Sequence, residues 1–364
     1  MKIFKYIFGL FVLLTFTFTF SCTEQDGIDG DLSFIQGATS SNLAKIFEIS
    51  NDNSGKVTIT PLGDGFSRAI INFGHGAGAA ASAEVKPGAN VSYAYPEGSY
   101  NVVIDYYSIA GNKTSVTYPL TVTYRAPEEL KVSLSGETKV KASALYAKSF
   151  LVYYGDVANE TGTPMAIGEE LPAHTYPASG GPFTLKVVAL SGGAATTTYT
   201  KVLFGFPIDF EHPDVTYFFG TFGGGQKFEK VDNPNKSGLN ASNKVGKFTR
   251  GHESWSGTYS PLNIPLNFAN GNKIKVLAYN PKPENIGKNL NVELEWSING
   301  PANGVGVLKV PFTKSGEWEE LIFDFSTITA IPADVKYTQL VLRFNNTADG
   351  AGDEIFVDNF RLTN

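Results

Sequence analysis

Cysteine is nearly absent from this 364-residue chain: Cys22 is the only one. Disulfide staples are thereby excluded, and everything after Cys22 must hold together by core packing. Histidine is scarce too. His75, His174, His212 and His252 lie far apart and form no His-x-x-x-His pair, so no zinc-type ligand motif is present. The Gly-x-Ser-x-Gly elbow and the phosphate-cradling glycine loop are also missing. No basic patch stands out against a net charge of −6, which argues against nucleic acid. Long helical periodicity is absent. The longest apolar run, residues 7–20, is well short of the ~20 residues a membrane-spanning helix needs.

What the chain has is glycine (38), proline (19) and aromatic residues at 13%, mostly Phe and Tyr. That mixture suits short antiparallel strands joined by tight turns, an all-β extracellular protein. The length accommodates two or three domains. At the N-terminus Lys2 and Lys5 precede the apolar run, and Ser21-Cys22 closes it, the pattern of a secretory signal. A small residue followed by Cys resembles the lipobox of bacterial lipoproteins, with Thr19 where many lipoboxes carry Leu. The resemblance implies that Cys22 is lipidated and tethers the chain to the outer membrane. An ordinary signal with an incidental cysteine is the alternative. Residues 23–31 are acidic and glycine-rich, a flexible spacer that also resembles the tract routing some lipoproteins to the cell surface. The expected organisation is a signal at 1–21, a linker at 22–38, sandwiches at 39–126 and 127–205, and a jelly roll at 206–364.

An internal repeat underlies the two sandwiches. Phe73-Gly74-His75 and Tyr93-Ala94-Tyr95-Pro96 in the first copy correspond to Tyr154-Gly155-Asp156 and His174-Thr175-Tyr176-Pro177 in the second. Each copy then runs into an alternating strand, a glycine turn and a Thr/Tyr/Val strand. Both copies resemble the polycystic-kidney-disease (PKD) module, an immunoglobulin-like (Ig-like) sandwich. Residues 93–111 follow that family's signature. In Phe73-Gly74-His75-Gly76, His75 replaces the family's Asp, and Tyr154-Gly155-Asp156-Val157 lacks its last Gly. The resemblance implies spacer domains.

Residues 208–364 are too many for one Ig-like unit and suit a β-jelly roll. Val292, Leu294, Trp296 and Ile298 share one parity, Glu293, Glu295 and Ser297 the other; Leu340, Leu342 and Phe344 alternate with Val341, Arg343 and Asn345. One face of each strand is expected in the core and the other exposed. The segment resembles the jelly-roll carbohydrate-binding modules of secreted bacterial glycanases and surface glycan-binding lipoproteins. The resemblance rests on residues 208–211, 231–248, 255–257, 316–326 and 355–362. It implies glycan binding, with a β-glucan of the β-1,3 (laminarin) type favoured, for a glycan uptake system.

Sugars offer flat C–H faces rimmed by hydroxyls, so a glycan site needs aromatic platforms flanked by amide, carboxylate or guanidinium groups. The candidate platforms are Trp255, Trp296, Tyr259 and Tyr279; the candidate polar partners are Glu293, Glu295, Arg343 and Asn345. Core packing competes with binding for each Trp, and Trp318 is expected inside. Related jelly rolls hold a structural calcium where their two ends meet. By that resemblance Glu211 and Asp358, with the oxygen-rich Asp232, Asn233, Asn235 and Ser237, are candidate calcium ligands. The jelly-roll endoglucanase pattern Glu-x-Asp-x-x-Glu has only a partial counterpart in Glu293 and Glu295, with Ile298 in place of the third acid, so the chain is expected not to be an enzyme. The expected partners are a polysaccharide, outer-membrane lipid through Cys22, and an outer-membrane glycan importer. The alternatives are a surface adhesin without glycan binding and, less favoured, a glycoside hydrolase.

Overall fold

The computed structural model describes residues 33–135, 138–177, 181–217, 219–236, 238–266, 268, 271–296, 303–328 and 336–364. Readings on residues 1–32, including Cys22, and on Ser237 lie outside the described residues, as does the side chain of Trp296. The described chain is all-β; its α-helix is the single turn Ser33–Gln36. No helix among the described residues is long and apolar enough to cross a membrane. The chain divides into two compact units at Thr123/Tyr124.

The first unit contains β1 (Ser41–Ile49), β2 (Lys56–Asp64), β3 (Phe66–Asn72), β4 (Ser82–Val85), β5 (Val91–Ala94), β6 (Gly98–Ser108) and β7 (Lys113–Val122). They form two sheets, β1-β2-β5 and β4-β3-β6-β7. Alternation explains the arrangement. Val57 and Ile59 from one sheet and Ala69, Ile71, Val102 and Ile104 from the other are fully buried, while their strand neighbours turn outward. Among the described residues of this unit Asp105 is the one buried acid, held by Lys113 at 2.9 Å and by the Ser115 hydroxyl at 2.6 Å. Burial pushes its carboxyl up, but Lys113, Ser115 and Asn72 outweigh that and hold it below the usual 3.8.

The second unit opens with β8 (Glu128–Leu134), β9 (Val140–Leu145), β10 (Ser149–Tyr153), β11 (Thr163–Met165), β12 (Phe183–Leu190) and β13 (Thr196–Leu203). Its sheets are β8-β9 and β11-β10-β12-β13. The four-stranded sheet repeats the strand order of β4-β3-β6-β7, so the sequence repeat is a repeat of topology. A buried tyrosine closes each copy: Tyr95 donates to the Phe73 carbonyl (3.0 Å) and Tyr176 to the Tyr154 carbonyl (3.3 Å). The copies also exchange a bonded pair. His75 meets the Tyr93 hydroxyl at 2.9 Å in one, and Asp156 meets His174 at 2.9 Å in the other.

The third sandwich follows in the same unit. Its strands are β14 (Gly220–Phe222), β15 (Lys227–Asp232), β16 (Lys244–Thr249), β17 (Gly257–Leu266), β18 (Lys273–Tyr279), β19 (Asn289–Trp296), β20 (Asn303–Pro311), β21 (Trp318–Asp324), β22 (Tyr337–Phe344) and β23 (Glu354–Thr363). Two five-stranded sheets, β14-β17-β22-β19-β20 and β15-β16-β23-β18-β21, face each other. Val292, Leu294, Leu340, Leu342 and Phe344 from the first meet Ile274, Val276, Phe323, Val357 and Phe360 from the second in one core. A smaller cluster, Val245, Leu277 and Trp318, lies on the other face of the second sheet.

Candidate functional site

The outward face of β14-β17-β22-β19-β20 collects most of the residues that a glycan site requires. Register sets the rows. Gly220, Tyr259, Val341, Glu293 and Val307 lie side by side across the five strands. In neighbouring rows Phe222 pairs with Gly257, Asn291 lies between Arg343 and Lys309, and Gln339 pairs with Glu295. Odd-numbered residues in 257–261 of β17, 291–295 of β19 and 339–343 of β22 share this face because side chains alternate along a strand. Two glycines make room on it. A Cβ on Gly220 would meet the Tyr259 ring at 2.4 Å, and one on Gly257 would meet the Phe222 ring at 2.6 Å. Without side chains there, both rings lie against the sheet.

Trp255, just before β17, is 55% exposed. Its ring is parallel to that of Phe222, at 5° and with centroids 6.3 Å apart. The loop beneath it is tied down. The Glu253 carboxylate accepts from the Gly224 N–H, the Ser254 N–H donates to Asp349 at 2.9 Å, and the Gly350 N–H donates to the His252 carbonyl at 2.9 Å. Arg343 binds this aromatic ledge to the sheet. It donates to the Trp255 carbonyl at 2.5 Å, places its guanidinium 4.9 Å over the Phe222 ring, and approaches the Glu293 carboxylate at 3.4 Å. Burial raises the Glu293 carboxyl and Glu295 adds to this, while Arg343 restrains it. Glu295 accepts from the Gln339 amide. The face therefore offers an exposed indole, a phenol ring, carboxylates and a guanidinium within a few strands of one another.

Asn291 is fully buried on this same face, and neither atom of its carboxamide has a partner among the described residues. Phe222, Gln339, Lys309 and Asn291 belong to the face although strand patterning did not single them out. For Phe222 the reason is plain: β14 has only three residues, too few for alternation to show.

Other expected site residues lie elsewhere. Tyr279 is on β18 in the other sheet, where its ring packs against Trp318 and Phe356; it is not part of this surface, because β18 pairs with β21 and β23. Asn345 follows the end of β22 in a left-handed conformation (φ 47°), and its side-chain oxygen accepts from Thr347 at 3.2 Å, so it shapes a turn. Trp318, expected inside, is buried and donates its indole N–H to the Asn235 carbonyl at 2.8 Å.

The expected calcium ligands divide into smaller groups. Asp358 is fully buried, and its oxygens accept from the Asn240 amide (2.8 Å) and the Asn359 N–H (2.7 Å). Burial raises its carboxyl from 3.8 to about 6, against bonds from Ser242, Asn240 and Asn359, and nearby Asp209 adds to the rise. Glu211 accepts from the Lys244 N–H at 2.6 Å and the Asn243 amide at 3.2 Å. The turn 240–244 thus touches both acids. Asn233 joins that turn through the Ser242 carbonyl at 3.0 Å, while Asn235 donates to Gly316 at 3.0 Å. Asp232 instead points into solvent and pairs with the Lys244 ammonium at 2.7 Å. Among the described residues no three His, Cys, Asp or Glu side chains gather as a metal-holding group.

No family model and no curated protein matches this sequence. Solved structures do match. One is a study of carbohydrate-binding modules of the β-sandwich superfamily with promiscuous specificity, at 12% identity, TM-score 0.28, covering 90% of this chain and 98% of that one. Another is a family 11 carbohydrate-binding module from Clostridium thermocellum in complex with a β-1,3-1,4-mixed-linked tetrasaccharide, at 14% identity, TM-score 0.33, covering 43% and 94%. A third is a xylan-binding family 22 module from Paenibacillus barcinonensis, at 16% identity, TM-score 0.29, covering 43% and 98%.

Proposed function

We propose that the chain is a glycan-capture protein whose third sandwich binds polysaccharide on the outer face of β14-β17-β22-β19-β20. The observation that carries this reading is the Trp255 ring, largely exposed yet held by a pinned loop and the Arg343 bond. A large aromatic left in water costs free energy unless a partner covers it. The flat face of a pyranose covers an indole, and Glu293, Gln339 and Arg343 lie in neighbouring rows of the same face to meet its hydroxyls. A β-glucan of the β-1,3 type is the proposed ligand, delivered to an outer-membrane importer. In this reading Cys22 carries the lipid anchor at the cell surface, and the first two sandwiches are PKD/Ig-like spacers. The paired states of Glu293 and Glu295 suit capture better than hydrolysis.

The test is a binding screen of the intact chain against purified glucans, mannans, xylans and pectins. A single site is expected to bind with a Kd between about 1 mM and 1 μM. Trp255→Ala should weaken binding roughly thirtyfold, about 2 kcal/mol, with the thermal midpoint unchanged. Parent-like binding by this variant, or no retention by any glycan, would refute the assignment.

We also propose a structural calcium ion at the Glu211–Asp358 end. Asp358 is a buried acid with only neutral donors around it and Asp209 near, so a divalent cation there would offset a real electrostatic cost. With so few acids at hand, carbonyl and amide oxygens of the turn 240–244 would complete the shell, as Ca²⁺ accepts. Saturating calcium should then raise the unfolding midpoint of the second unit over that in chelator by several degrees. Coincident melting curves would remove the ion from the reading.

A further inference from the structure

A cavity lies away from the glycan face, where the second sandwich hands the chain to the third. The junction is hydrogen-bonded: the Phe204 carbonyl accepts from the N–H groups of Asn263 (3.0 Å) and Ile264 (3.2 Å). Beside it is a cavity of about 370 Å³. Its walls include Phe206, Ile264 and Leu266, with the rings of Pro177, Pro207 and Pro265 adding flat C–H surface.

Three polar groups on this cavity are uncommitted. The Lys336 ammonium has no carboxylate partner among the described residues, and the Asn359 carboxamide and Thr175 hydroxyl make no hydrogen bond to them. Arg361 also lines the cavity. It shares Glu320 with Lys275, which lies at 3.0 Å, so that trio keeps one positive charge. No described carboxylate lines the space. An apolar hollow with a few converging polar groups is the usual form of a small-molecule site, and this volume is at the small end of the ~300–1,000 Å³ range. The charge is positive, so the ligand is an anion. The neutral donors and acceptors beside the charge suit hydroxyl groups, and the proline and phenylalanine faces suit a ring.

We propose that this junction cavity binds an acidic sugar: a hexuronate, free or at the end of an oligosaccharide, with its carboxylate on Lys336. The hydroxyls of the sugar meet Asn359 and Thr175, and its C–H face lies against Phe206. The site is distinct from the glycan face and does not depend on that face binding anything.

Saturation-transfer NMR on the intact chain, titrated with sodium glucuronate and separately with glucose, tests the assignment. Glucuronate should receive saturation and glucose should not. Lys336→Ala should weaken glucuronate binding roughly tenfold, the size of one charge-assisted hydrogen bond, at an unchanged melting temperature. Trp255→Ala should bind glucuronate like the parent. Oligosaccharides bearing a terminal or an internal uronate separate the two sources: a terminal uronate should bind and an internal one should not. Equal response to glucose, no response to glucuronate, or an unaltered Lys336→Ala titration would overturn the site. Loss of glucuronate binding in Trp255→Ala would move the acid to the other face and also overturn it.

Discussion

Replacing Arg343 with alanine should reduce glycan affinity by roughly a hundredfold, about 2.7 kcal/mol, a larger loss than removal of any single ring on the face. The expectation follows from what one guanidinium holds together. It ties the Trp255 loop to the sheet through the Trp255 carbonyl, covers the Phe222 ring, and faces Glu293. Without it the ledge loses its anchor, and the ordering of the loop must be supplied on binding. A stability loss of about 2–3 kcal/mol should accompany this, because the pair with Glu293 is only 23% and 13% exposed and its removal leaves a half-buried carboxylate alone.

The pH dependence gives a second readout of the same substitution. Burial and Glu295 already raise the Glu293 carboxyl against the pull of Arg343, and losing Arg343 raises it further. A raised acid costs the folded state when ionised. The variant's deficit should therefore be full at neutral pH and shrink as pH falls through the raised value toward that of the unfolded chain. Arg343→Lys keeps the charge but not the planar fork that reaches two partners at once, so it should restore the pH profile before it restores affinity. Isothermal titration and pH-resolved melts measure both. Undiminished binding by Arg343→Ala would show that the ledge does not depend on this residue.

Alternation was sufficient to read the strands of the glycan face. Val292 and Leu294 turn inward together, as do Leu340, Leu342 and Phe344, so Glu293, Glu295 and Arg343 turn outward. Which sheet a strand joins is a long-range matter, and the local pattern does not carry it. Tyr279 has the residue type of a platform and a suitable strand, but β18 pairs into the opposite sheet. The same limit hid Phe222: a three-residue strand has no period, and its place beside Trp255 is set by pairing with Gly257. In the repeated sandwiches the motif positions were legible, yet the exchange of the His75–Tyr93 pair for Asp156–His174 emerges only where turns separated by 18 residues meet. The candidate calcium ligands divide into separate groups for a related reason. Residues adjacent in sequence, such as Asp232 and Asn233, point to opposite sides of the chain, one to solvent and one into the turn 240–244.

Phe360→Ala should cost the third sandwich about 3–5 kcal/mol, the range for emptying a fully packed aromatic site. Phe360 is completely buried in the core between the two sheets, and its ring meets that of Phe206 edge-on at 6.5 Å. Its backbone exchanges both hydrogen bonds with Ile208, at 3.0 and 2.9 Å, so the same residue fastens the entry segment to the final strand. The backbone bonds survive truncation; the ring's contacts do not. For a unit of this size the midpoint should fall by roughly 10 °C. Phe356 supplies the control. It lies on the same strand but packs at the edge of the smaller outer cluster, so Phe356→Ala should cost no more than about half as much. Four residues apart, the two rings would share a face on a regular strand; the register shift of β23 against β18 between Asp358 and Arg361, with Asn359 left-handed, turns them to opposite faces, and equal losses would mean that it does not. Well below its lowered midpoint, folded Phe360→Ala should still bind glycan with the parent's affinity. The core displays the binding face without contributing an atom to it, so stability and capture should separate cleanly at Phe360 and be lost together at Arg343.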